Sequence, residues 1–224
     1  MNYSGKLAAP PEYPAGRAPA HVKKLVRPAP WQKATQLAFL RFEKKDLVEA
    51  ERFWNDFGIV TVSRTAEQLV LRGTGTAPAI LVATKADASR FVGSAFVVPG
   101  DTDFERMVRE SNAKLLEPGR IPGGGRGVAL KDPDGNELWL IADWGSVPAL
   151  PMRQPMHNNM NALGEIKRVN VTVRSPIEPA LVGKLGHVVY QTNNFDTMAQ
   201  WYMRHLGLIP TDVQYLEDDG SPPP

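Results

Sequence analysis

The groups from which this chain of 224 residues could build an acid–base or metal site are four histidines, 24 carboxylates and no cysteine. Without cysteine there is no disulfide, no thiolate nucleophile and no cysteine-held zinc or iron–sulfur centre, so any metal must be held by His, Asp or Glu. His187 stands out, because it sits near the start of the apolar run "LGHVVYQT" and is followed by the amphipathic stretch "NNFDTMAQWYMRHLGL". Strand alternation would put Leu185, His187, Val189 and Gln191 on one face and Gly186, Val188 and Tyr190 on the other. A lone histidine in a strand is, without context, more often a hydrogen-bonded core or surface residue than a ligand, so ligation by His187 requires partners elsewhere. His205, near the end of the following helix, is explained by favourable interaction with the helix C-terminus. His21 and His157 lie in Pro-rich and Asn-rich surroundings and read as solvated. "GGGRG" lacks the Lys-Ser/Thr and the strand-to-helix context of a phosphate loop and reads as a flexible lead into a hairpin. "DPDGN" lacks the ligand spacing and closing Glu of a calcium loop.

The elements that must position such groups follow a recurring order. Residues 1–30 carry six prolines and no apolar period, which predicts an extended N-terminal arm rather than a folded element. "QLAFLRF" reads as a strand and "DLVEAERFWNDFGI" as a helix, with Leu47, Ala50, Phe53 or Trp54, and Phe57 on one face and Gly58 as its stop. "VTVSR", "QLVLRG" and "AILVAT" read as three strands, completing a β-α-β-β-β unit. A second such unit runs from "FVGSAFVVPG" through the helix "TDFERMVRES", with Phe104, Met107 and Val108 on one face, to the hairpin "GRGVAL–KDPDGN–ELWLIAD". In that hairpin Pro133 and Asp134 suit the centre of a type I turn and Gly135 the left-handed position after it. Residues 31–145 therefore read as an N-terminal domain of two units and 146–183, rich in proline, as a linker, although "EIKRVNVTVR" within it could form a strand. A third unit begins at residue 184, with "KLGHVVYQT" as strand, Asn194 as N-cap, Phe195, Met198, Ala199, Tyr202 and Leu206 as the buried stripe and Gly207 as the stop. Laid over the first unit, Tyr202 falls on Phe53, Gly207 on Gly58 and His187 on Ala38, so the histidine is not part of what repeats.

Composition excludes several classes. No stretch approaches the roughly 18 apolar residues of a membrane span, and "MNYSGKLAAPPEYPAG" lacks the apolar core of a secretory signal, so a cytoplasmic location is the default expectation and no membrane partner is expected. A net charge of +2, with its one basic cluster "HVKKLVRPAP" free of interleaved aromatics, points to no nucleic-acid partner.

"LGHVVYQTNNFDTMAQWYMRHLGL" and "GRGVALKDPDGNELWLI" resemble the opening and closing signatures of the vicinal oxygen chelate superfamily, which includes glyoxalases, bleomycin-resistance proteins and extradiol dioxygenases. Two units, a linker and a histidine-bearing third unit most resemble the two-domain type I extradiol ring-cleavage dioxygenases. The resemblance implies an α+β fold of cupped βαβββ modules. It also implies an iron(II) site of two histidines and one glutamate, with Mn(II) as a possible substitute, at which a small aromatic diol and dioxygen meet and both oxygen atoms enter the opened ring. His187 corresponds to the first histidine of that set. The second histidine and the glutamate belong to a fourth unit that has no place here, so residues 184–224 are expected to be the start of an incomplete metal-binding domain that alone holds iron weakly or not at all. The N-terminal pair is expected to be metal-free, with Ala38, Gly93 and Trp139 at its would-be ligand positions; Glu137 reaches such a position only if the hairpin register slips. The uncovered third unit makes association, and a homo-oligomer, expected. The alternative implied by the same resemblance is a metal-free, small-molecule-binding protein of the glyoxalase/bleomycin-resistance kind, in which His187 is a hydrogen-bonding residue only.

Overall fold

A computed structural model describes residues 12–13, 20–153 and 178–214. Short strands β1 (Glu12–Tyr13) and β2 (Leu25–Val26) pair antiparallel, so part of the N-terminal arm, expected to lack folded elements, carries a two-residue ladder. The body follows the order read from the sequence: β3 (Gln36–Lys44), α1 (Leu47–Asp56), β4 (Val60–Arg64), β5 (Gln68–Arg72) and β6 (Leu81–Lys85), then β7 (Arg90–Val97), α2 (Phe104–Ser111), β8 (Lys114–Leu115), β9 (Arg126–Lys131) and β10 (Glu137–Ala142). These strands form one mixed sheet ordered β4-β5-β6-β3-β7-β10-β9-β8. Each half closes on itself through a parallel pair, β3 with β6 and β7 with β10, and the halves join at the antiparallel pair β3–β7.

Local chemistry sets the helix starts. Asp46 accepts the amides of Val48 at 2.8 Å and Glu49 at 3.0 Å, and Asp103 accepts that of Arg106 at 2.8 Å. On α1 the buried side chains are Leu47, Ala50 and Trp54, while Phe53 and Phe57 stack on each other in the open, 63% and 62% exposed. The spacing admitted either Phe53 or Trp54, and the sheet took the indole.

Strand alternation divides the core between the two faces of the sheet. On one face Leu69, Leu71, Leu81 and Ala83 pack with α1, and Phe96, Val128, Leu130, Leu138 and Leu140 pack with Phe104 and Met107 of α2. On the other, Phe39, Val70, Val82, Ala95, Trp139 and Ile141 pack without a helix, under Ile121 and Trp144 from loops.

The chain returns across the helix-bearing face. Val182 donates its amide to the Gly58 carbonyl at 3.1 Å and accepts that of Thr74 at 2.8 Å, and Gly183 accepts that of Gly75 at 2.9 Å. Val147 and Leu150 donate to Thr76 and Thr74 at 2.9 and 2.7 Å. Both described ends of the proline-rich segment are therefore pinned to the body. Residues 184–192, where the sequence predicts a strand, join no ladder. β3 and β7 already pair with each other beneath them, so this stretch lies on the sheet's face, held by Leu185, Val188 and Tyr190, and finds no edge to extend.

Helix α3 (Phe195–Leu206) ends at Gly207, whose φ of 64° is the left-handed stop expected of it. Asn194 occupies the N-cap position without a side-chain capping bond; its amide instead donates to Thr192 Oγ1 at 2.9 Å. The helix buries two sides. Leu206 enters the core beneath α2, and Met203 meets Leu25 of the arm, whose Trp31 and Ala34 amides donate to the Arg204 and Leu206 carbonyls at 2.9 and 2.7 Å. Among the described residues no helix is long and apolar enough to cross a membrane.

Candidate functional site

His187 is exposed, on the outward side of residues 184–192, and stands at the mouth of a cleft of about 420 Å³. The cleft lies between this stretch, α3 and the sheet, with Leu37, Phe96, Val188, Met198, Ala199 and Tyr202 among its walls and, among the described residues, no Asp, Glu, Lys or Arg lining it. Its inner end is built from polar groups that are already satisfied. Buried Ser94 Oγ lies 2.7 Å from the Tyr190 hydroxyl, and the Tyr202 hydroxyl donates to Asp132 Oδ2 at 3.0 Å. Burial raises the pKa of both phenols, and the Asp132 carboxylate raises both further, so they stay protonated and able to donate.

Asp132 is the first residue of the "DPDG" turn, and the predicted geometry is present: Gly135 donates to the Asp132 carbonyl at 2.9 Å with φ 87°. The carboxylate also accepts the amides of Asp134 and Asn136 at 3.1 and 2.8 Å and the Asn136 side chain at 3.0 Å. One buried acid thus fixes the hairpin and receives α3 through Tyr202. Sequence reasoning singled out this segment for its turn and missed its tie to Tyr202.

The turn also holds the register. Glu137 pairs with Lys131 and Trp139 with Ala129 without a slip, so the register expected of this hairpin is the one present. That indole and Ala38 are both buried on the helix-free face and carry no carboxylate oxygen or imidazole nitrogen for a metal ion. At Gly93 the neighbouring strand leaves no room, since a Cβ there would lie 1.7 Å from the Glu137 carbonyl oxygen. Glu137 is engaged: its Oε1 accepts from Arg41 and, at 2.7 Å, from Trp139 Nε1. Burial works against its charged form, but the hydrogen bond and charge of Arg41 outweigh it and hold the carboxyl below its ordinary range.

His205 differs from its sequence reading. It is buried between Trp201, stacked at 4.1 Å, and Trp31 at 4.7 Å, and its Nδ1 lies 2.9 Å from the Trp201 carbonyl oxygen. Burial lowers its pKa, so it is a neutral core residue rather than a charge placed against the helix C-terminus. Among the described residues no three His, Asp or Glu side chains come together as a metal-holding set, and His187 alone does not fit an iron(II) or Mn(II) centre. His157 lies outside the described residues.

No family model and no curated protein matches the sequence. Among solved structures the chain is similar to the Mn(II)-bound glyoxalase from Novosphingobium aromaticivorans, at 21% identity and a TM-score of 0.48 over 55% of this chain and 44% of that one. It is similar to a variant of homoprotocatechuate 2,3-dioxygenase from B. fuscum in complex with HPCA, at 20% identity and a TM-score of 0.49 over 56% of this chain and 37% of that one. A room-temperature structure of an extradiol ring-cleaving dioxygenase from B. fuscum gives 21% identity and a TM-score of 0.47 over 55% and 37%. The aligned part spans less than half the length of each of these proteins.

Proposed function

We propose that this chain carries the metal-free scaffold of an extradiol ring-cleaving dioxygenase, with His187 as one ligand of a centre whose other ligands lie outside the described residues. The observation that carries the reading is the division of labour between the parts. The two β-α-β-β-β halves have no metal-ligating side chain at Ala38, Gly93 or Trp139, while His187, which falls on Ala38 of the first unit, is exposed beside an uncharged cleft. A small aromatic diol suits such walls, and dioxygen is the second reactant of the reaction class. The described residues lack the remaining ligands, so no chemical step is assigned to them.

The test is the reading frame beyond Pro224, followed by metal analysis. It is expected to supply a histidine on one strand and a glutamate on a later one, and the longer protein is expected to retain about one iron per chain, as the facial-triad site demands. It should cleave a 2,3-dihydroxybiphenyl-type catechol with uptake of dioxygen, and His187→Ala should abolish both properties. An extension without those residues, or iron retention indifferent to His187→Ala, refutes the reading.

A second reading rests on one observation, that among the described residues no three His, Asp or Glu side chains come together to hold a metal. In that reading the chain binds a small uncharged aromatic molecule without metal and His187 only donates or accepts a hydrogen bond. Saturable binding of the catechol to the metal-free 224-residue chain, weakened by His187→Ala, distinguishes it from the first.

A further inference from the structure

The helix-free face of the sheet is apolar at one end and cationic at the other. Arg41 on β3 and Glu137 on β10 are separated by β7, and they meet because the position between them in the row is Gly93, which offers no side chain to part them. The Arg41 guanidinium lies 3.7 Å from the centre of the Trp139 ring, on a side chain only 13% exposed. Arg120, exposed on the loop between β8 and β9, brings a second guanidinium to 5.4 Å from the same ring.

Two cations thus face one carboxylate. A guanidinium has five N–H donors, and Glu137 Oε1 takes one of those of Arg41 while sharing itself with Trp139. Burial is the largest influence on Arg41 and lowers its pKa, while the hydrogen bond and charge of Glu137 raise it.

We propose that this end of the helix-free face is an anion site that takes one small carboxylate between Arg41 and Arg120, beside Trp139. A carboxylate is the matching group because its two oxygens meet the edge of a guanidinium. The site lies on the opposite face of the sheet from the His187 cleft and does not depend on any metal.

Calorimetric titration of the intact chain with benzoate, with tryptophan fluorescence as a second signal, tests it. One saturable site per chain is expected. Arg120→Gln, a change at an exposed position, should weaken binding about tenfold, the scale of one lost charge-assisted contact. Glu137→Gln keeps an oxygen for Arg41 and Trp139 while removing the competing charge, so binding should tighten. His187→Ala should leave it unchanged. Binding that does not saturate, equal affinity in Arg120→Gln, weaker affinity in a Glu137→Gln chain of unchanged thermal midpoint, or loss in His187→Ala each overturns the proposal.

Discussion

Trp139 and Gly93 show how much a single position decides. The first buries an indole under the Arg41 guanidinium, and the second lets β7 and β10 approach so closely that no β-carbon fits between them. Gly93→Ala is therefore expected to cost about 3 kcal/mol or more in urea unfolding, as an overpacked core position with backbone for a neighbour. A variant as stable as the parent would contradict the register of these strands. The register at Trp139 was legible in advance, because the "DPDGN" turn fixes the hairpin; the close approach of β10 at Gly93 was not. Arg41 was not legible: its partner Glu137 lies 96 residues away, and no local pattern announces that two charged residues will meet across an intervening strand.

At the scale of elements, the helices were the readable part. Asp46 and Asp103 cap where such residues should, and Gly207 stops α3. The stretch 184–192 was misread because apolar alternation reports a side chain's preference for one face and says nothing about whether a strand edge is open beside it. The stripe read for α3 does face inward, with Met198 and Leu206 buried and Phe195, Ala199 and Tyr202 packed against cores, but its second buried side, Met203 and His205, was not read. Alignment with α1 assumes one covering layer, and α3 has two, the sheet side and the N-terminal arm. His205 sits in that second interface, and its depressed pKa gives the arm contact a pH dependence. Protonation is less favourable in the folded state than in the unfolded chain. Stability is then fully present above the ordinary value of 6.5 and declines as pH falls below it toward the folded value. The thermal midpoint is expected to drop between about pH 7.5 and 5, the range in which histidine titrates, and His205→Phe should flatten that slope. An unchanged slope in the variant would assign the titration to another group.

At the scale of the whole molecule, the arm, the sheet and α3 share cores instead of forming separate bodies. Leu206 of α3 is fully buried among residues of β7, β9, β10 and α2. Leu206→Ala should cost about 2–5 kcal/mol, and far-ultraviolet dichroism and tryptophan fluorescence should report the same lowered midpoint. Two separate transitions would show that α3 melts independently of the sheet. The division into an N-terminal domain, a linker and a third unit, drawn from proline content and repeat spacing, carried no information about such contacts, because composition does not record what a segment lies against. The shared carboxylate of Asp132 adds a matter of timing. Its bonds to Asp134 and Asn136 span at most four residues, while the bond from Tyr202 spans 70. Short loops close at small entropic cost and long ones at greater cost, so the hairpin can close before α3 arrives. The end of the chain then docks late, onto an acceptor that the turn has already aimed.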